Sequence, residues 1–392
     1  MFGANPHYLA GKYGSPESLA EYEELRAKIL KHKLGEEQQH IEPPTKRRSM
    51  SIAQVFLRYL QWAETYYDGG AKNKEFGHFV KAMDQVRLLY NSLPFSEFGP
   101  RKLRRVRERM IDLGWSRNHI NHQVNRIRAV FKWAVSEEYI ESTVHANLQT
   151  LPGLRKGKSL ARETKPVKPV AWKHVEATLP FMTPVLAAMT EIKYLTGMRS
   201  DELTGMRLAE MDLRGDVWIY EPREHKTAHR GKRKVICLGP RSQALLLPYL
   251  PASLNAFIFS PGISCWEQSQ ARAAARKSKL YGKALNRQPR ARKTRERYDT
   301  HAYQTAINHA FTAMAKSLGH VRPVGEKLRP WLRSVGIRFW TPHALRHSRG
   351  TLTRAAYGIE GAQASLGNTL EATQIYAEKS LDLAVRIARE TS

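Results

Sequence analysis

The chain has 392 residues, with 64 Lys and Arg against 36 Asp and Glu, and a formal net charge of +28. A hydrophobic content of 42% excludes a mainly disordered chain, no stretch approaches the ~18 consecutive apolar residues of a membrane span, and only two cysteines, Cys237 and Cys265, exclude a disulfide framework. A soluble, cytoplasmic protein of two or three domains is expected, and so large a cationic surplus points to nucleic acid rather than to an acidic lipid surface.

Ser15 and Pro16 are a cap residue and a first-turn proline ahead of Leu19, Tyr22, Leu25, Ile29 and Leu30, with Gly35 past the end. Residues 1–34 therefore read as a small N-terminal helical piece, and the polar, proline-containing 35–50 as a linker. Val55, Phe56, Tyr59, Leu60 and Ala63 then recur at helical spacing. So do Leu103, Val106, Met110 and Leu113, and, after the break at Gly114-Trp115-Ser116, Ile120, Val124, Ile127, Phe131 and Ala134. A helical domain over 51–150 follows. Its outer faces are basic: Arg104 and Arg105 flank one stripe, and Arg117, Arg126, Arg128 and Lys132 flank another. With so few acids between them, phosphate contact is favoured over a merely solvated face.

Residues 151–170 mix glycine, proline and like charge, which predicts an extended basic linker with Lys156 and Lys158 along phosphates, joining two bodies suited to clamping a duplex. The second body runs from 171 to 392. Trp172 to Leu195 reads as helical, with Thr183-Pro184 as cap and first-turn signals. Residues 216–220 and 234–238 are β-prone runs around a basic tip, so the fold class is mainly α with a small antiparallel β-sheet. An insertion near 270–298, with eleven basic residues and one acid between Arg272 and Arg297, reads as an exposed loop that adds phosphate affinity without specificity.

Thr341-Pro342 opens a helix that places His343, Arg346 and His347 on one face of its first turns, where free amides and the positive dipole end attract an anion. One histidine near a helix start is ordinarily a capping or packing residue. Two histidines and an arginine on one face point to phosphate. A zinc site at His343 and His347 lacks the glutamate of HExxH and a third ligand at a recognised spacing, so no metal is expected. No phosphate-cradling glycine loop occurs either, so no nucleotide cofactor is implied.

TPHALRHSRGT, with LTGMRSDEL upstream and LGNTLEATQIYAE downstream, resembles the tyrosine recombinase, or phage integrase, family. The resemblance covers Trp172 to the C-terminus; the preceding helical segment is similar in character to the family's core-binding domain, and GKYGSPES to the remnant of an arm-type module. It implies a catalytic domain of the DNA breaking-rejoining type. It makes Arg199 the first active-site arginine with Glu202 positioning it, His343 and Arg346 the H-x-x-R pair, His347 a supporting residue and Tyr376 the nucleophile. Lys226, in EHKTAHRG, best matches the family's hairpin lysine, with Lys232 and Lys234 as alternatives. Where the family has histidine or tryptophan after L-G, this chain has Asn368, which donates a hydrogen bond but carries no charge.

The chemistry fits those residue types. Guanidinium forks stay protonated and match two phosphate oxygens at once, and fixed donors aimed at developing charge are worth ~3–4 kcal/mol each. A phenol needs a base and a positive pocket, and the leaving 5′ hydroxyl needs a proton, which a lysine supplies. Tyr376 on spacing alone is equally a buried aromatic of a C-terminal helix. The resemblance implies an integrase of a mobile element, nucleoid-associated, that cleaves double-stranded attachment-type sites through a 3′-phosphotyrosyl link without a cofactor. It also implies a homotetramer on DNA, with the apolar tail of Leu381, Leu383, Val385, Ile387 and Ala388 exchanged between protomers. A type IB topoisomerase and a catalytically decayed DNA-binding protein are the alternatives, the latter supported by Asn368.

Overall fold

The computed structural model describes residues 15–26, 28, 50–67, 75–224, 231, 233–277 and 294–377. The chain divides into two units, Met1–Lys165 and Pro166–Ser392. Residues 16–26 form α1, which begins where Ser15 Oγ accepts from the Ser18 amide at 3.3 Å. Most of 27–49 lies outside the described residues.

In the first unit Ser51 starts α2 (Ile52–Tyr66) with a reciprocal cap: its Oγ accepts from the Gln54 amide, and Gln54 Oε1 accepts from the Ser51 amide at 2.9 Å. Then come α3 (Glu75–Tyr90), α4 (Pro100–Asp112), α5 (Arg117–Ser136) and α6 (Ser142–Gln149). The three stripes read from the sequence face one core, apart from half-buried Leu60 and exposed Leu113. α3 was not anticipated. It closes that core with Phe79, Ala82, Met83 and Val86, all buried. Phe131 stacks on Phe95 with ring centroids 4.0 Å apart, and burial of each such ring contributes roughly 1.5–3 kcal/mol.

The segment expected as an extended linker is mostly exposed but anchored at points. Leu151 and Ala161 are buried, the Asn121 carboxamide pairs with both the amide and the carbonyl of Leu154 at 2.8 and 3.0 Å, and the Arg117 amide donates to Arg162 O. The Leu154 peptide and the Arg162 carbonyl are thus satisfied by α5, while 155–158 and 160 are exposed.

The second unit begins with α7 (Trp172–Glu176) and α8 (Pro184–Thr196). α8 begins at the expected Thr183-Pro184, and Pro180 and Pro184, which offer no amide, separate it from α7 across the 3₁₀ turn between them. Next are α9 (Ser200–Thr204), β1 (Met211–Asp212), β2 (Trp218–Tyr220) and β3 (Ile236–Leu238). The sheet is antiparallel in the order β1-β2-β3, with Trp218 opposite Leu238 and Tyr220 opposite Ile236. The hairpin matches the expectation; β1 is an addition to it. Tyr220 Oη donates to the Glu202 carbonyl at 2.8 Å and ties the sheet to α9.

α10 (Pro240–Leu246), α11 (Pro261–Ala274), α12 (Thr300–Ser317) and α13 (Leu328–Ser334) follow. The start of the expected insertion, 270–274, is the end of α11, and 278–293 lie outside the described residues. α14 (Pro342–Leu366) breaks at Gly358, where φ is 72° and ψ −174°, and α15 (Leu370–Tyr376) is the last described helix. Ile192, Leu203, Tyr220, Tyr303, Phe311, Trp340 and Leu345 share one core, which fixes α8, α9, β2, α12 and the start of α14 together. Among the described residues no helix is long and apolar enough to cross a membrane. The architecture is mainly α with one three-stranded antiparallel sheet.

Candidate active site

α8 ends on Gly197 in the left-handed conformation, φ 69°, with Leu366 and Arg349 so close that an added β-carbon would meet them at 2.8–3.0 Å. Only glycine makes that turn. It delivers Arg199 to the N-cap of α9, where Glu202 Oε2 accepts from the Arg199 amide at 2.6 Å and Oε1 from Nη1 at 2.8 Å. One carboxylate thus fixes both the backbone and the guanidinium. Burial pushes the Glu202 carboxyl up, but Lys234, the Arg199 amide and the guanidiniums of Arg199 and Arg346 outweigh it and hold it below the usual range.

Arg346 is fully buried. Nη1 donates to Gly197 O at 2.6 Å, and Nη2 to Leu366 O at 3.0 Å and to Asn368 Oδ1 at 2.9 Å. Arg199 Nη2 donates to the same Asn368 oxygen at 2.9 Å. Two donors converging on one atom settle the amide orientation, since a nitrogen there would face two N–H groups. Asn368 Nδ2 and Arg346 Nε are left buried with no hydrogen-bond partner among the described residues.

Lys226 and Lys232 lie outside the described residues; Lys234 lies in the site. Its Nζ donates to Leu366 O, and the chain passes so tightly over Gly367 that an added β-carbon would stand 2.3 Å from that nitrogen. Burial brings its pKa down to about 8, against the attraction of Glu202. The β-strand period of two carried this signal, since Lys234 shares the face of buried Ile236 and Leu238.

Tyr376 ends α15 half-buried. Its ring centroid is 4.9 Å from the Arg346 guanidinium carbon, 4.8 Å from the His347 ring and 5.4 Å from the His343 ring. Its backbone packs on Gly350 of α14, where a β-carbon would approach the Tyr376 carbonyl oxygen to 3.2 Å, and Arg354 Nη1 donates to the next carbonyl, Ala377 O, at 3.0 Å. His343 is exposed and His347 buried. Burial lowers both imidazoles, with Lys193 and the two arginines next for His343 and with His343 and Arg346 next for His347, which falls to about 4, so both rings are uncharged at neutral pH. The structure therefore brings together Arg199, Glu202, His343, Arg346, His347, Asn368 and Tyr376 with Lys234, one of the alternatives for the hairpin lysine, and also contains a buried lysine that the sequence reading passed over, Lys193.

The basic residues of the first unit separate into two groups. Arg126 makes a two-pronged pair with Glu75, at 2.7 and 2.8 Å; Arg128 donates to the carbonyls of Leu148 and Leu151; Arg117 is paired with Glu163 and donates to Leu154 O. These three, expected on phosphates, hold α3, α6 and the 151–163 segment onto α5. Arg104, Arg105, Lys132, Lys156 and Lys158 are exposed.

No protein-family model matches the chain, and no curated protein does. Solved structures do. The Tn1549 transposon integrase in complex with a circular intermediate DNA matches at a TM-score of 0.57 and 16% identity, over 88% of this chain and 100% of that one. A lambda integrase dimer bound to a COC′ core site matches at 0.53 and 13%, over 85% and 97%. A lambda integrase tetramer bound to a Holliday junction matches at 0.50 and 13%, over 95% and 90%. The chain has the fold of these integrases.

Proposed function

We propose that the chain is a tyrosine recombinase, a site-specific DNA integrase that cleaves and rejoins duplex DNA through a covalent 3′-phosphotyrosyl intermediate. One observation carries the reading: Arg199, Arg346 and Asn368, three residues far apart in sequence, are hydrogen-bonded into a single cluster, and the Tyr376 ring of the same chain lies against it. Two guanidiniums and an amide N–H₂ with no partner among the described residues suit the oxygens of one phosphodiester.

In the proposed reaction Tyr376 Oη attacks phosphorus and its proton passes to a neutral imidazole, His343 or His347. The phosphorus–O5′ bond breaks as the new phosphorus–tyrosyl bond forms. Arg199 and Arg346 hold the charge that gathers on the non-bridging oxygens. The departing O5′ takes a proton from a hairpin lysine. Lys226 has that role by family resemblance, and Lys234, with a pKa near 8 and a place in the cluster, is equipped for it. Attack by a 5′ hydroxyl on the phosphotyrosine reverses the steps, so the bond energy is kept and no nucleotide is consumed.

Arg104, Arg105, Lys132, Lys156 and Lys158 would contact duplex phosphates, and the like-folded integrases were solved on DNA as a dimer and as a tetramer. Tetrameric assembly on attachment-type sites is part of the proposal; residues 378–392, which would form the exchanged helix, lie outside the described ones. Asn368 does not favour a decayed site, because its oxygen spans both arginines. Strand exchange between two duplexes carrying the DNA that flanks the coding region tests the reading: recombinant products are expected. Relaxation of supercoils without such sites, and no exchange, would favour a topoisomerase instead.

A further inference from the structure

One buried cation of the second unit has no task in that scheme. Lys193, on α8, is 1% exposed, and its Nζ donates to the Met198 carbonyl at 2.5 Å. Met198 immediately precedes Arg199. The carbonyl before it, Gly197 O, is held by Arg346 Nη1. Each of the two peptide groups that lead into Arg199 is therefore gripped by a buried cation, one from α8 and one from α14. Near Lys193 stand Asp201 and Glu202 of α9, Arg199 at its cap, and His343 and Arg346 of α14. A buried ammonium with one carbonyl partner is costly, and an apolar residue beside Met189 and Ile192 would avoid that cost.

We propose that Lys193 is a positioning residue of the phosphate site, whose charged form fixes the turn that presents Arg199 and adds positive potential behind the two arginines. The inference rests on the recombinase reading. Lys193 itself is too buried to meet DNA; it acts through the Met198 carbonyl and through its charge. Burial, with Arg346 next, lowers its pKa to about 7, so the charge is present in mild acid and lost as the pH rises. A phosphodiester held by the arginines favours the ammonium and moves that loss to higher pH.

The test follows covalent adduct formation on a nicked suicide duplex from about pH 6 to about pH 9 for the wild type, Lys193→Met and Lys193→Gln, with duplex affinity and thermal midpoint measured in parallel. Lys193→Met is expected to bind duplex within about threefold of wild type and to form adduct ~10–100-fold more slowly at the acid end. The gap should narrow about tenfold toward the alkaline end, where the wild type loses the same charge. Lys193→Gln, which keeps a donor but no charge, should show the same narrowing, and it decides the matter if the methionine variant does not fold. A rate ratio that is constant with pH, or equal losses of affinity and rate, would assign Lys193 a purely structural part and overturn the proposal. Wild-type protein that forms no adduct at any pH refutes the recombinase reading itself; a wild-type adduct with unaffected Lys193 variants refutes only the role of Lys193.

Discussion

Asn368 Oδ1 accepts a hydrogen bond from Arg346 Nη2 at 2.9 Å, and the same oxygen accepts from Arg199. The residue that departs from the pattern of the family the chain resembles therefore links the two arginines, and its buried N–H₂ has no hydrogen-bond partner among the described residues. In the proposed reaction the asparagine divides its two ends between protein and substrate.

Asn368→Asp separates those ends. The carboxylate keeps the contacts to both guanidiniums, loses the donor and sets a negative charge against the phosphate. Adduct formation should fall by about 100-fold or more, with a thermal midpoint equal to or above wild type. A variant as fast as wild type would show that the amide donor takes no part.

The two arginines should differ in what they hold. Arg346→Ala leaves the buried carbonyls of Gly197 and Leu366 without these donors and should cost roughly 2–4 kcal/mol of stability. Arg199, whose side chain is partly exposed, should cost less. Both variants should lose ~100–1,000-fold or more in cleavage while keeping most duplex affinity, which the proposal assigns to the exposed cations of the first unit. Urea melts and gel-shift titrations check the division; parallel loss of binding would contradict it.

Gly367→Ala places a β-carbon on Lys234 Nζ in a left-handed turn, φ 56°. A stability loss of about 1–2 kcal/mol and at least ~10-fold slower cleavage are expected. Gly367→Asn relieves the backbone cost but not the clash, so it should be more stable and equally slow. Slowing that tracks stability across the pair would remove Lys234 from the chemistry.

His347 should make the second unit sensitive to acid. The unfolded chain takes its proton near pH 6.5, whereas the folded ring resists until about pH 4. The stabilisation is thus complete above pH 6.5 and is lost as the pH falls through that window, by about 3 kcal/mol in all. Thermal midpoints against pH should fall more steeply for wild type than for His347→Gln, and equal slopes would contradict the burial of a neutral ring.

That Arg199 and Glu202, and His343 and Arg346, share helical turns is legible from their spacing of three residues, whereas their roles and that of Tyr376 come from the family resemblance, spacing alone leaving Tyr376 equally a buried aromatic. Arg117, Arg126 and Arg128 read as surface cations because their partners, Glu163, Glu75 and the carbonyls of Leu148 and Leu151, lie 20–51 residues away. α3 escapes the eye since exposed Leu88 and Leu89 blur its buried stripe, and β1, two residues long, has no alternation to show. Lys193 hides within an apolar helix face, where its carbonyl partner and its neighbours on α14 appear only once the chain is folded.

The most direct measurement is to trap protein on a suicide duplex, digest the adduct and locate the modified residue by mass spectrometry. A nucleotide phosphate on Tyr376, and no adduct from Tyr376→Phe, is the result expected here. An adduct on another residue, or one that persists in Tyr376→Phe, would contradict the assignment of the nucleophile and the cluster built around it.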